Sequence, residues 1–78
     1  MKFSVEIMPR PEALDPQGRA VQGSLQRLGF TVEDCRVGKV VIVDVKEENK
    51  TKALEQVHQM AEKILANPLI ETFEVKAL

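Results

Sequence analysis

The chain has 78 residues, the length of a single domain. Its 11 Lys and Arg against 12 Asp and Glu give a formal net charge of −1, so it has no basic field to hold nucleic acid. One Cys and one His are too few for an intrachain disulfide or an ordinary structural zinc site. No signal-peptide core follows Met1, and no apolar run approaches the roughly 20 residues that cross a bilayer. We therefore expect one domain over residues 1–78, cytoplasmic, with neither nucleic acid nor membrane as a partner.

The first part of the chain predicts a strand and then a helix. Phe3, Val5 and Ile7 alternate with other residues at the period of two that is typical of a half-buried strand. Asp15 followed by Pro16 indicates a helix start, because the carboxylate can cap free backbone N–H groups and proline fits the first helical position. This helix is expected to end at Gly29, with one apolar face formed by Ala20, Val21, Leu25 and Leu28.

The middle of the chain predicts two strands joined by a turn at Gly38 and Lys39. These are Phe30–Val37 and Val40–Lys46. The later strand is apolar on one face through Val41, Val43 and Val45, and on the other through Val40 and Ile42. Because two helices can cover only one side of a small sheet, Val40 and Ile42 are the predicted self-association face. Association would also supplement the small core of so short a chain.

A second helix is predicted from about Thr51 to Ala66, with Asn49 or Thr51 as its cap. Pro68 stops it, and Phe73 and Val75 alternate with polar residues in a last strand. The apolar residues of the helix fall within one arc: Ala53, Leu54, Val57, Met60, Ala61, Ile64 and Leu65.

The predicted order is therefore β-α-β-β-α-β. This order is typical of the α+β ferredoxin-like fold, in which two helices cover one face of an antiparallel sheet. The other face, with Val40 and Ile42, would serve oligomerisation.

No catalytic constellation is evident. Cys35 and His58 are the only candidates for nucleophilic chemistry, but no motif links them, and we expect a small half-buried strand residue and a histidine at the boundary of the helix's apolar arc. Neither the adjacent Glu33 and Asp34 nor Glu47 and Glu48 converge as an acid/base pair must. We therefore predict no catalytic, cofactor-binding or metal-ligating residue.

Other uses of this fold can be weighed against the residues. RNA-recognition motifs need stacking aromatics on the central strand, and residues 36–45 contain none. Copper-chaperone domains need paired cysteines in the first loop, which here reads MPRPEALDPQG. A sensing module of the ACT type, binding a metabolite at a dimer interface, remains open as an alternative.

Three stretches taken together resemble one family, the PurS subunit of phosphoribosylformylglycinamidine (FGAM) synthase. They are LDPQGRAVQGSLQRLGF, RVGK and ILANPLIETFEV, and the intervening strand and helix match in length. Departures are mild: Pro9-Arg10-Pro11 stands where the family commonly has a lysine, and Phe73 where a tyrosine is frequent.

The resemblance implies a non-catalytic accessory subunit in de novo purine biosynthesis. In that family a glutaminase, PurQ, releases ammonia, and a synthetase, PurL, holds ATP, magnesium and substrate. PurS dimers bridge the two and assist ammonia transfer. The expected partners are thus PurL-like and PurQ-like subunits and further copies of the chain, as dimer or tetramer, with no cofactor in the chain itself.

The motif residues are the predicted partner interface. They form three clusters: Asp15, Pro16, Gln17 and Gly18; Arg36, Gly38 and Lys39; and Asn67, Pro68 and Glu71. Each cluster also has a competing explanation in folding: Asp15-Pro16 can cap a helix, Gly38 can form a turn, and Asn67-Pro68 can stop a helix. Arg36 and Lys39 are less explained by folding, since a turn requires neither charge.

Overall fold

The structure is a computed structural model that describes residues 1–78. Neither helix is long and apolar enough to cross a membrane. The elements in chain order are β1 (Lys2–Pro9), α1 (Pro16–Arg27), β2 (Lys39–Asp44), α2 (Lys50–Met60), a π-helical turn (Ala61–Leu65) that continues α2, and β3 (Glu71–Ala77).

The three strands form one antiparallel sheet in the order β2-β1-β3. Val5 of the central strand pairs with Val41 on one side and Val75 on the other. Side chains alternate across a sheet, so Val5, Val41 and Val75 point to the same face. The predicted alternation in the first, third and last strands is confirmed, as is the antiparallel α+β arrangement.

α2 covers that face and builds the core over the central strand. Apolar residues from β1, α2 and the segments beside them are the buried set: Phe3, Val5, Ile7, Val45, Ala53, Val57, Ala61 and Ala66. Val41, Val43, Phe73 and Val75 are only half-buried at its flanks. The core is thus narrow, one helix wide.

The opposite face of the sheet is open to solvent. Val40 and Ile42 lie there with 59% and 55% of their surface exposed, on the side where the sequence placed them. The neighbouring strands contribute charge, with Glu6 and Lys76 paired at 4.0 Å. Apart from the half-buried Met8 of β1, the apolar residues of this face are therefore those of β2.

The structure corrects one strand of the predicted order. Phe30–Val37 lies outside the sheet, which has three strands rather than four. Side chains of α1 hold this segment instead, since the amides of Gln22 and Gln26 donate to the carbonyl of Val32 at 3.0 and 3.3 Å.

α1 also departs from the prediction that both helices cover one sheet face. It begins at Pro16 behind an Asp15 cap and is followed by Gly29 at φ 96°, as predicted, yet it adds no side chain to the core. Apart from the hydrogen bonds of its Asp15 cap, α1 makes hydrogen bonds only to the segment that follows it in the chain. We call residues 14–37, which comprise α1 and this returning segment, the arm.

The second helix is capped by Asn49, whose side chain accepts a 3.0 Å hydrogen bond from the N–H of Lys52. It does not continue as a regular α-helix to Ala66, because the Ala66 N–H bonds the Ala61 carbonyl five residues back. A π turn takes more residues per turn, so Ala66 is buried while Ile64 is 84% exposed. The predicted inward position of Ile64 is corrected.

Candidate functional site

The three motif clusters meet at one end of the sheet. β1 ends there at Pro9, and the antiparallel register brings the first residues of β2 and β3 beside it, with Ile7 opposite Lys39 and Pro9 opposite Glu71. We call this region, comprising residues 10–18, 35–39 and 67–71, the motif junction. The fold therefore unites clusters that are separated by some 50 residues of sequence.

Asp15 joins the first two clusters. One carboxylate oxygen accepts a 2.9 Å hydrogen bond from the N–H of Gly18 and the other a 3.0 Å bond from the N–H of Val37. These two bonds, the Gly18 bond first, hold the pKa of Asp15 below its ordinary value of 3.8. Burial opposes them, and the nearby Arg36 guanidinium, the weakest of the four influences, lowers the pKa further. Asp15 is thus an anionic cap and a link between segments.

Two glycines of the motifs are required by close approach. A Cβ on Gly18 would overlap the carbonyl oxygen of Cys35 and the Asp15 carboxylate. A Cβ on Gly38 would overlap the Met8 sulfur and the carbonyl oxygen of Ile7. Both motifs therefore contain a residue that packing alone explains.

Arg10 joins the second and third clusters. Its Nε and Nη2 atoms donate to the carbonyl of Pro68 at 3.1 and 2.9 Å, and its backbone N–H donates to the carbonyl of Ile70 at 2.8 Å. In turn its own carbonyl accepts a hydrogen bond from Nη2 of Arg36. The sequence marked Arg10 only as a departure from the family, and nothing in the pattern Pro9-Arg10-Pro11 revealed this role.

The third cluster is a closed turn. The Glu71 carboxylate accepts a 2.7 Å hydrogen bond from the N–H of Asn67, and the Asn67 side chain accepts one from the N–H of Leu69 at 3.1 Å. The Glu71 N–H returns to the Asn67 carbonyl at 2.7 Å. Asn67 and Glu71 thus shape a turn that leaves Leu69 85% exposed.

Other motif residues point outward. Pro16, Gln17 and Lys39 are exposed, and neither the Gln17 nor the Lys39 side chain makes a hydrogen bond or ion pair within the chain. The interior of the motif junction is therefore held by Asp15, Arg10, Gly18 and Gly38. Its exposed rim carries Gln17 and Lys39, whose polar side chains have no partner in the chain.

A polar cleft of about 370 Å³ lies beside the junction. Asp15, Arg19, Asp34, Cys35 and Arg36 line it among others. Cys35 is half-buried and has no hydrogen-bonded base. No group of three or more His, Cys, Asp or Glu side chains is placed to hold a metal ion. The cleft offers charged contacts of both signs.

His58 lies elsewhere, on α2. Its Nδ1 is 3.1 Å from the Glu62 carboxylate one helical turn later, and its ring meets that of Phe73 edge-on at 4.9 Å between centroids. More than half of its side chain is exposed. This is the boundary position that the helical pattern predicted.

The chain is similar in sequence and fold to known proteins of one family. The family model PurS, described as phosphoribosylformylglycinamidine (FGAM) synthase, matches residues 2–78. Subunit PurS of phosphoribosylformylglycinamidine synthase from Thermotoga maritima is 36% identical over 78 residues, covering 99% of this chain and 95% of that protein.

Solved structures agree. Thermus thermophilus PurS superposes with a TM-score of 0.82 at 40% identity, covering 99% of this chain and 95% of the other. A chain of the PurLQS structure from Thermotoga maritima gives a TM-score of 0.89 at 36% identity, with the same two coverages. The predicted α+β class, with one antiparallel sheet and two helices, is thereby confirmed, and nothing supports the ACT-type alternative. The chain belongs to the PurS family of FGAM synthase.

Proposed function

We propose that this chain is the non-catalytic accessory subunit of an FGAM synthase complex. It bridges a PurL-like synthetase and a PurQ-like glutaminase and assists the transfer of ammonia between them. The observation that carries this proposal is the full-length match to a chain of the PurLQS structure, at a TM-score of 0.89 over 99% of this chain.

The chemistry of the chain is consistent with an accessory role. Cys35 has no base beside it, and His58 is engaged by an exposed carboxylate and an aromatic ring. A nucleophile needs a base within hydrogen-bond reach, and no such pair occurs here. We assign ATP and magnesium to the synthetase partner, no cofactor to this single domain, and the cytoplasm as its compartment.

We assign the partner interface to the motif junction. Its interior hydrogen bonds hold three loops in one arrangement, and its rim presents Gln17 and Lys39 without partners in the chain. A preorganised surface with free charged groups suits binding to another subunit, because little side-chain or loop order remains to be lost. Arg36 has a structural bond to Arg10, so Lys39 is the clearer contact residue.

We assign a self-association surface to the open sheet face. Val40 and Ile42 are adjacent there on β2 and more than half exposed. Apolar residues clustered on an otherwise charged face are typical of an interaction site. Association through this face yields dimers, or tetramers if another contact is also used.

Reconstitution tests the proposed function. Purified synthetase and glutaminase from the same organism are assayed with and without this chain, using first glutamine and then ammonium chloride as the nitrogen source. We expect glutamine-dependent turnover to need the chain, and ammonium-dependent turnover to need it much less, because free ammonia does not have to be transferred between subunits. Equal glutamine-dependent turnover in its absence would overturn the proposal.

A further inference from the structure

A groove runs along the seam between α2 and β3, at the margin of the sheet away from β2. Two hollows of about 430 and 240 Å³ form it, and the Glu62 side chain lines both. The His58 ring on the helix meets the Phe73 ring on the strand edge-on, at 4.9 Å between centroids. The floor is apolar, with Leu54 in one hollow and Ala66 and the half-buried Phe73 in the other. We call this surface the α2–β3 groove.

The rim of the α2–β3 groove carries more negative than positive charge. The carboxylates of Glu55, Glu62 and Glu71 line it. Arg10 supplies the only fixed positive charge, and its Nε and Nη2 atoms already donate to the Pro68 carbonyl. The Glu55 carboxylate makes no hydrogen bond or ion pair in the chain, and only one oxygen of Glu62 is paired, with a histidine. An apolar floor below unpaired carboxylates suits a cationic side chain whose alkyl stem packs on the floor.

The edge of β3 beside this groove has no partner strand. β3 lies at the margin of the sheet and pairs only with β1. The Leu78 N–H donates to the Lys2 carbonyl, in the register of these two strands, so the even-numbered residues of β3 exchange hydrogen bonds with β1. The N–H and C=O groups of Phe73 and Val75 therefore point to the open edge, where an added strand can pair with them.

An extended segment along this edge satisfies the free backbone groups and fills the groove at the same time. Side chains alternate across a sheet, so every second residue of an added strand lies on the α2 side. A residue opposite Phe73 shares its face and therefore enters the groove beside Glu62. Main-chain pairing of this kind gives affinity, and the hollow for an alternate side chain gives specificity.

A second copy of this chain has no segment that fits the groove. Its own β3 would present Glu71, Phe73 and Val75 on the α2 side, which adds a carboxylate where cations are lacking. Arg36 is the only basic residue of the unpaired segment 30–37, and its guanidinium is bonded to the Arg10 carbonyl. Charge complementarity therefore indicates a different chain as the occupant.

We propose that the β3 edge and the α2–β3 groove bind an extended segment of another protein chain, and that an arginine of this segment enters the groove between the Phe73 ring and the Glu62 carboxylate. Arginine fits better than lysine, because its planar guanidinium stacks on an aromatic ring while it donates to a carboxylate. Residues 67–71 of the motif junction lie at one end of the groove, so the two surfaces are continuous. The proposal rests on the proposed function only in assigning the segment to the synthetase or the glutaminase.

The first test uses the protein alone and two peptides, acetyl-Thr-Val-Arg-Val-Thr-amide and the same peptide with citrulline, an uncharged analogue of arginine, at its centre. NMR titration of isotope-labelled protein reads binding at individual amides. We expect saturable shifts at Phe73 and Val75 with the arginine peptide, and about fivefold weaker binding of the citrulline peptide. In Glu62→Gln the two peptides should bind within about twofold of each other, whereas Glu48→Gln, at an exposed glutamate before α2, should keep the full difference.

Hydrogen exchange in the assembled complex then locates the natural segment. Binding of the synthetase or the glutaminase should slow exchange of the Phe73 and Val75 amides about tenfold, since both become paired. No saturable peptide binding, equal affinity for the two peptides, or unchanged exchange at both amides in a complex that forms would each overturn the proposal. Failure of the proposed function has a different signature, namely glutamine-dependent turnover that does not need this chain, and it leaves the peptide measurements decisive.

Discussion

The carboxylate of Asp15 accepts a 3.0 Å hydrogen bond from the backbone N–H of Val37, 22 residues later in the chain. The same carboxylate caps α1 through Gly18. One side chain therefore fixes both the start of the arm and its return to β2. This double role accounts for the joint presence of the LDPQG and RVGK motifs, because the second motif supplies the N–H that the first one binds.

The free energy of unfolding should fall at acid pH, because Asp15 stabilises the fold only while it is ionised. Both hydrogen bonds favour the carboxylate, so the pKa in the folded protein lies below the ordinary value of 3.8. The contribution of Asp15 is fully present above that ordinary value and is lost as pH falls through the lower, folded-state pKa. Urea unfolding from about pH 5 to about pH 2 should show a steeper loss for the wild type than for Asp15→Asn. Parallel curves for the two proteins would contradict this role.

Gly38→Ala should destabilise the protein by about 1 to 3 kcal/mol, because the added Cβ overlaps the Ile7 carbonyl, and backbone must shift to admit it. Gly23→Ala is the control. Its Cβ would meet only the Arg27 guanidinium at 3.5 Å, and alanine in a helix interior gains about 0.5 to 1 kcal/mol over glycine. Thermal unfolding should thus move the two variants in opposite directions; a shift of the same sign would refute the packing explanation.

Arg10→Met should loosen the 67–71 turn. Methionine keeps the aliphatic part of the side chain but loses the two donors to the Pro68 carbonyl, which together contribute about 1 kcal/mol at this half-exposed site. Amide exchange at Ile70 and Glu71 should accelerate about fivefold. Arg19→Met, which removes a guanidinium without hydrogen-bond partners, should leave those rates unchanged. Equal exchange in both variants would show that Arg10 does not hold the turn.

Lys39→Glu should weaken binding to the synthetase or glutaminase without changing stability. The side chain is exposed and unpaired at the rim of the motif junction, so its charge is available to a partner. We expect an affinity loss of about fivefold that shrinks with added salt, measured by isothermal titration. Lys46→Glu, the same charge change at the other end of the third predicted strand, should bind normally. Equal losses would indicate a general charge effect rather than a contact at Lys39.

Local elements were predictable because their causes are local. The Asp15 cap, the end of α1 before Gly29 and the alternation of Phe3, Val5 and Ile7 each depend on neighbouring residues and hydration. Ile64 was mispredicted because the helical period assumes 3.6 residues per turn, and the π turn rotates later side chains away from that expectation.

The candidate site was only partly predictable. Asp15, Gly18, Gly38, Asn67 and Glu71 stood out in the motifs, but the sequence could not tell that they belong to one junction. Arg10 was missed because its role consists of bonds to Pro68 and to the carbonyl of Ile70, about 60 residues away. Long-range hydrogen bonds leave no periodic signal in the chain.

By itself, the sequence determined the strands and helices with strong periodicity and the family resemblance. The tertiary structure decided where Phe30–Val37 and α1 go: the anchors at Asp15, Arg36 and Gly38 keep both away from the sheet of their own chain. The physical reason is that an apolar pattern specifies that a face must be buried but not which surface buries it. In this protein the choice rests on hydrogen bonds and packing at the motif junction, which only the folded chain brings together.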